Sequence, residues 1–194
     1  MTTPPLILAS TSPYRRAQLE QLGVPFSCEA PGVDERAAEP QGATPREVAA
    51  ALARAKALAV AARHPGAIVI GGDQVCVLDD EVLHKPGSAE RAVEQHARLA
   101  GRTHRLISAI CVARGERCVC HEDVTELDMR PLSEEERRRY VEADQPLDCA
   151  GSYKLEARGV TLFSAIRSAD HSAIQGLPLL ALCELLRAEG VALP

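Results

Sequence analysis

The sequence is poor in aromatic residues and lacks tryptophan: aromatic side chains account for only 3% of its 194 residues. A buried core must therefore be built from aliphatic side chains, and a hydrophobic fraction of 46% provides enough of them. A chain of this length is sufficient for one domain, or for two lobes that share a core. We expect residues 1–194 to form a single domain.

Long apolar runs are also missing, since none approaches the roughly 18 residues that a membrane-spanning helix needs. Residues 1–5 lack the basic start and apolar stretch of a signal peptide. Lysine and arginine number 22 against 27 acidic residues, and the net charge of −5 argues against a broad nucleic-acid surface. We therefore expect a cytoplasmic protein that binds neither a membrane nor a nucleic-acid polymer. A single nucleotide needs only a few local cations and is not excluded.

The cysteine pattern does not resemble a disulfide framework, because seven cysteines cannot all be paired. We expect reduced thiols, as in a cytosol. Cys118 and Cys120 form a C-x-C pair, but no second pair has the spacing of a zinc site. Cys76, Cys111 and Cys183 lie in apolar runs and are interpreted as core residues. The spacing therefore disfavours a metal or redox role.

Patterns of apolar and capping residues indicate alternating strands and helices. The apolar run 6–9 predicts a buried strand, and Ser12 followed by Pro13 predicts the start of a helix. Further elements are predicted as strands at 26–30, 67–70, 75–78, 105–113 and 117–129, and as helices at 45–64, 88–99, from 133 onward and at 177–188. Residues 34–42 are expected to form a loop, and residues 71–74 to break the tip of a strand. This order indicates an α/β fold with a mixed sheet.

The first candidate site is Ser10-Thr11-Ser12-Pro13-Tyr14-Arg15-Arg16, where the first predicted strand meets a helix. Backbone N–H groups at a helix start suit an anion, and guanidinium groups offer a fixed fork of donors to phosphate. The alternative is a capped helix with solvated arginines, and the local pattern does not separate the two.

Two further candidate sites follow strands. Asp73, in Gly71-Gly72-Asp73-Gln74, is placed to bind a metal or to act as a base, although a turn aspartate is the simpler interpretation of that motif alone. Lys85, in His84-Lys85-Pro86, supplies a compact charge for phosphate, with a hairpin lysine as the alternative.

Acidic residues lie near these basic segments. Glu35 follows Val33-Asp34, and Glu156 follows Lys154-Leu155. Carboxylates beside a triphosphate require a cation between them, and Mg²⁺ takes carboxylate and phosphate oxygens together.

Seven segments together resemble the Maf proteins, which are nucleoside triphosphate pyrophosphatases, over nearly the whole chain. In order, they are LILASTSPYRRAQLEQLGVPF, VDE, ALARAKA, VIGGDQVCVLDDEVLHKP, LAGRTHRLISAICV, CAGSYKLEARGVTLF and IQGLPLLALCELL. Any one of them would be weak evidence, whereas seven in the same order are specific. The resemblance implies an α/β fold with a mixed twisted sheet and flanking helices in two lobes around a central cleft. It also implies a divalent metal, Mg²⁺ or Mn²⁺, and hydrolysis between the α- and β-phosphates.

The resemblance also implies residue roles. The proton acceptor falls on Asp73, and the metal ligands on Glu35 and Asp73, with the question open whether Asp73 serves as base, ligand or both. The phosphate-binding positions fall on Ser10, Arg15, Arg16, Lys56, Lys85 and Lys154. The chain departs from the family at Gly72, where serine is usual, and at His84, where glycine is usual.

The specificity positions of the family fall on Tyr14, Gln74 and Glu156. The segments STSPYRR, GGDQVCVLD and CAGSYKLE resemble the branch that hydrolyses 7-methyl-GTP. A 7-methylguanine ring is positively charged, so the face of Tyr14 would attract it by about 0.5–2 kcal/mol. Glu156 would accept hydrogen bonds from the guanine N1–H and amino groups, which a pyrimidine does not offer.

Two alternatives remain at this point. One keeps the reaction and changes the substrate to dTTP, UTP or a modified pyrimidine nucleotide. The other is a nucleotide-binding regulator of cell division without turnover. The expected partner is a nucleoside triphosphate in each case, and a homodimer is left open.

Overall fold

A computed structural model describes residues 4–193, so part of the N-terminal segment considered above lies outside the described residues. The strands are β1 (Leu6–Leu8), β2 (Ser27–Cys28), β3 (Ile68–Leu78), β4 (Glu81–Leu83), β5 (Thr103–Arg114), β6 (Arg117–Met129) and β7 (Phe163–Arg167). The α-helices are α1 (Pro13–Glu20), α2 (Glu35–Ala38), α3 (Pro45–Ala61), α4 (Ala89–Leu99), α5 (Glu134–Asp144) and α6 (Leu179–Ala188). Short 3₁₀ helices span Ala150–Ser152, Gly159–Leu162 and His171–Gln175. None of the described helices combines the length and the apolar character that crossing a bilayer requires.

The strands form one mixed sheet in the order β2-β1-β3-β5-β6-β7, with β4 paired to β3. β1 runs parallel to β2 and β3, whereas β4 is antiparallel to β3 and β7 is antiparallel to β6. The predicted α/β class with a mixed sheet and flanking helices is confirmed.

Contacts divide the chain into two compact units, and the single domain expected from chain length stays a prediction. The first unit comprises the residues up to Asp73, residues 108–123 and the residues from Asp170 onward. Its core is aliphatic, as the composition requires, and is formed by Leu6, Leu8, Leu19, Ile68, Ile70, Ile110, Val112, Leu177, Leu182, Leu186 and Val191. Burying one such side chain contributes about 1.5–3 kcal/mol.

The second unit comprises residues 74–107 and 124–169. It contains several of the few aromatic rings in the chain. Tyr153 packs edge-on against Phe163 with ring centroids 4.9 Å apart, and His104 lies beside both rings. His96 packs against Tyr140 between α4 and α5. The core of this unit therefore contains histidine nitrogens and tyrosine hydroxyls, which require hydrogen-bond partners when they are buried.

Two local predictions are wrong. Residues 34–42 are not all loop, because Asp34 caps α2: its Oδ1 accepts a hydrogen bond from Ala37 N at 3.2 Å, and the residues that follow favour a helix. The segment 71–74 does not break its strand, since β3 continues from Ile68 to Leu78. The glycines there serve packing, as described below.

The expectation of reduced thiols is wrong for one pair, since Cys111 and Cys120 form a disulfide. A two-residue turn joins β5 to β6 and brings these positions opposite each other, with their Cα atoms 4.0 Å apart. The other five cysteines form no disulfide in the described part of the chain.

Candidate active site

A buried lysine on α3 joins two carboxylates in the first unit. Lys56 Nζ donates to Asp73 Oδ1 at 2.6 Å and lies 2.6 Å from Glu35 Oε1. The side chains of Lys56 and Asp73 are 8% and 11% exposed, whereas that of Glu35 is 57% exposed. Charge-assisted hydrogen bonds of this kind are short and strong. The structure thus brings together three residues that the resemblance assigned to one site.

Close packing of α3 on β3 makes the Lys56–Asp73 contact possible. Side chains two apart on a strand share a face, so Gly71 and Asp73 both face α3. A Cβ on Gly71 would overlap Ala53 O and lie 2.6 Å from Ala57 N. Only glycine lets the helix approach this closely, and Lys56 lies in the same turn of the helix as Ala57.

A capped helix positions the second carboxylate. Asp34 caps α2, which makes Glu35 the first residue of that helix. An acidic side chain is stabilised there by the helix dipole. The sequence prediction treated this segment as loop and therefore missed how Glu35 is held.

Arg15 on α1 lies beside Gly72, the other glycine of the pair. A Cβ on Gly72 would approach Arg15 Nε to 3.4 Å and Leu177 Cδ2 to 3.1 Å. Arg15 Nε donates to Gly176 O at 3.2 Å. Burial lowers the pKa of the Arg15 guanidinium, while the charges of Asp73 and Glu35 oppose that shift. A partly buried cation is therefore held within the electrostatic reach of both carboxylates.

Two serines order the start of α1. Ser10 is buried and its Oγ accepts from Ser12 N at 3.1 Å. Ser12 in turn caps the helix, accepting from Arg15 N at 3.4 Å. The predicted strand–loop–helix start is confirmed, and Tyr14 lies partly buried in the first turn of the helix.

Arg16 points to a different environment from Arg15. Its side chain is 64% exposed and its Nε donates to Glu20 Oε1 at 3.0 Å, one turn along α1. It lines a hollow with Glu20 and residues 24–28. Arg16 is thus paired on the surface, and its predicted phosphate role remains a prediction.

Sequence reasoning missed the polar residue that fixes α1. Gln18 is buried, its Nε2 donates to Ser172 O at 2.6 Å, and its Oε1 accepts from Leu177 N at 3.0 Å. These bonds attach α1 to the segment that contains Gly176. A glutamine inside a helix carries no sequence signal for such a contact, because its partners are about 160 residues away.

The remaining predicted residues lie in the second unit. Gln74 follows Asp73 on β3, and Lys85 lies exposed after β4. Lys154 is held through its backbone, since its N donates to the Tyr140 hydroxyl at 2.9 Å. Glu156 is exposed in the following turn.

A buried histidine supports the segment before Lys154. His96 Nε2 donates to Ser152 O at 2.7 Å, and Ser152 has a left-handed φ of 63°. Burial lowers the pKa of His96 to about 4, so the ring is neutral at pH 7. His104 behaves similarly, since burial lowers its pKa to about 4, and its Nε2 lies 2.9 Å from the Tyr153 hydroxyl.

The donor set fits a hard divalent cation. Asp73 and Glu35 offer carboxylate oxygens, the ligands that Mg²⁺ and Mn²⁺ prefer. Lys56 Nζ contacts one oxygen of each carboxylate. Lys56 thus holds both groups together and limits their mutual repulsion.

Comparisons of the sequence with known proteins identify one family. The model of the family described as "Maf-like protein" matches residues 5–189. A "7-methyl-GTP pyrophosphatase" of Xanthomonas oryzae is 48% identical over 98% of this chain and 100% of its own. A protein of the same name from Bdellovibrio bacteriovorus is 42% identical over 93% of this chain and 95% of its own. A solved HAM1 protein from Coxiella burnetii has a TM-score of 0.47 and 13% identity, and covers 95% of this chain and 99% of its own.

Proposed function

The chain belongs to the Maf family, and from this membership we propose that it is a pyrophosphatase that hydrolyses 7-methyl-GTP to 7-methyl-GMP and pyrophosphate. The observation that carries the proposal is identity of 41–48%, over nearly the whole chain, with relatives named for that activity. The charged network of Lys56, Asp73 and Glu35 supports a hydrolase rather than a binding protein, because binding alone requires no buried carboxylate.

The mechanism begins with the arrangement of Asp73. Lys56 fixes one oxygen of its carboxylate, so the group is preorganised for a water molecule. We propose that Asp73 orients this water, or removes its proton, for in-line attack on the α-phosphate. Pyrophosphate then leaves. Positioning and electrostatics supply most of the acceleration in phosphate transfer.

Cationic side chains neutralise the substrate. Arg15 presents a partly buried guanidinium, whose planar fork of donors matches phosphate oxygens. The resemblance adds Ser10, Arg16, Lys85 and Lys154 as phosphate-binding residues. A bound Mg²⁺ or Mn²⁺, held by Asp73 and Glu35, would supply charge neutralisation at the phosphates.

Replacing the proposed base tests the reaction class. Asp73→Asn keeps the shape of the side chain and an acceptor for Lys56, but removes the base. We expect kcat with 7-methyl-GTP and Mg²⁺ to fall at least about 100-fold, the low end of general-base contributions. The matched control is Asp80→Asn, at a fully exposed position in the turn after β3, which should keep wild-type turnover. Wild-type pyrophosphate release by Asp73→Asn would refute the assignment.

A nucleotide panel tests the substrate. Purified protein assayed with 7-methyl-GTP, GTP, dTTP and UTP should show the highest kcat/KM for 7-methyl-GTP. In the branch of the family that hydrolyses dTTP and UTP, the resemblance implies a small or basic residue in place of Tyr14, threonine in place of Gln74 and glutamine in place of Glu156. Tyr14→Ala, Gln74→Thr and Glu156→Gln should therefore move the preference toward dTTP and UTP. If the wild-type protein preferred a pyrimidine nucleotide, the proposed substrate would be wrong, whereas the proposed pyrophosphatase reaction would still hold. If no nucleotide released pyrophosphate, the proposal that this chain is a pyrophosphatase would be refuted.

A further inference from the structure

Three cysteine sulfurs converge on the β5–β6 hairpin, outside the site described above. The Sγ atoms of Cys111, Cys118 and Cys120 all lie within 4.8 Å of one another. Cys111 and Cys120 are joined as a disulfide, and Cys118 Sγ lies 3.9 Å from Cys120 Sγ. We call these residues the thiol cluster. No role in the proposed hydrolysis accounts for it.

Strand geometry explains why the C-x-C pair gains a third partner. Residues two apart on a strand point to the same face, so Cys118 and Cys120 lie side by side on β6. The two-residue turn places Cys111 of β5 opposite Cys120. The third sulfur comes from across the hairpin, and spacing within one strand therefore gave no sign of it.

The thiol cluster is partly buried and lies against α3. Cys111 is fully buried and its Sγ lies 4.0 Å from Ala50 O on α3. Burial raises the pKa of the Cys118 thiol, and the guanidinium of Arg54, one turn further along α3, opposes that shift. The cluster thus combines a protected sulfur, a partly buried sulfur and a positive charge.

We propose that the reduced thiol cluster binds one thiophilic cation such as Zn²⁺ through three thiolates. A tetrahedral zinc with Zn–S bonds of about 2.3 Å requires sulfurs about 3.8 Å apart. The observed 3.9 Å between Cys118 and Cys120 matches this spacing. Opening the disulfide lets Cys111 take the third position, and water completes the tetrahedron.

Metal binding and the disulfide exclude each other. A small-molecule thiol attacks the Cys111–Cys120 bond, and a second thiol completes the exchange: two electrons pass to the protein, two cysteine thiols form, and the reductant becomes one disulfide. The cation then displaces the thiol protons of the three cysteines. The oxidised protein lacks two of the three ligands and is predicted to bind the cation weakly.

Metal titration of the full chain tests the proposal. The protein is reduced with a phosphine, and the phosphine is then removed. One sample is titrated with Cd²⁺, whose thiolate complexes absorb in the ultraviolet. A second sample is titrated with Zn²⁺ in competition with a chromogenic chelator. We expect one equivalent to bind to the reduced protein. Oxidation should weaken binding at least about tenfold, as should Cys118→Ser, since even loss of an outer-shell partner costs 10–100-fold. Cys183→Ser removes a cysteine that, like Cys118, is partly buried, and should change nothing.

A second measurement needs no variant. Zn²⁺ bound to the reduced wild-type protein should protect Cys118 from alkylation, detected by mass spectrometry of peptides, and should leave the labelling of exposed Cys28 unchanged. Equal labelling with and without Zn²⁺ would overturn the proposal. Cation binding that is as tight in the oxidised protein, or in a folded Cys118→Ser variant, would overturn it as well.

Discussion

Replacing Lys56 by methionine removes the cation that the two carboxylates share. Methionine is similar in length, so Asp73 would stay buried and lose its ionic partner. Removing one member of a buried ion pair costs about 3–5 kcal/mol. Glu35 is more than half exposed, and its contact with Lys56 adds at most about 1 kcal/mol. We therefore expect Lys56→Met to lower the free energy of unfolding by about 3–5 kcal/mol at pH 7.

Urea unfolding in the presence of EDTA measures this loss, because a metal at the carboxylates would replace the missing charge. The double-mutant cycle with Asp73→Asn isolates the pair. Lys56→Met should cost far less in the Asp73→Asn background, with a coupling energy of about 2–3 kcal/mol, at the upper end for residues in contact. A single variant within about 1 kcal/mol of wild type, or additive effects of the two substitutions, would refute the reasoning.

Three further outcomes are expected. Gly71→Ala should cost at least about 2 kcal/mol in thermal unfolding, because its Cβ would overlap Ala53 O and force α3 away from β3. Between pH 7 and pH 5 the wild type should lose about 2 kcal/mol of its free energy of unfolding through His96. In this pH range the unfolded histidine, with a pKa near 6.5, takes up a proton. The folded ring, with a pKa of about 4, does not. Urea unfolding at both pH values should show a smaller loss for His96→Gln. In steady-state kinetics, Arg15→Ala should lower kcat/KM at least about tenfold more than Arg16→Ala, because Arg16 is already paired at the surface.

Local capping patterns predicted the helices well. Thr44 and Glu47 form a capping box at the start of α3, and Ser133 and Glu136 form another at α5. Such signals act over three residues, so they are visible in the sequence. The single-turn helix α2 was missed because Pro40 and Gly42 make its segment resemble a loop, although Asp34 is a good cap.

The candidate site depended on contacts that no local pattern contains. Lys56 lies in an alanine-rich helix and would be taken for a solvated lysine without the family resemblance. Its partner Asp73 is 17 residues away, on another element. Gln18 bonds Leu177 across 159 residues. Resemblance could name Lys56 and Asp73, but their burial and pairing follow from packing, which only the folded chain provides.

The two consecutive glycines of β3 make room for the charged side chains of the candidate site. Neighbouring residues on a strand face opposite sides, so Gly71 and Gly72 serve different neighbours. The absence of a side chain at Gly71 lets α3 carry Lys56 to Asp73. At Gly72, where the resemblance leads us to expect serine, a Cβ would lie 3.1 Å from Leu177 Cδ2 and at an ordinary contact distance of 3.4 Å from Arg15 Nε. A side chain at position 72 would thus need only a small shift of Leu177, whereas one at position 71 would push against the backbone of α3.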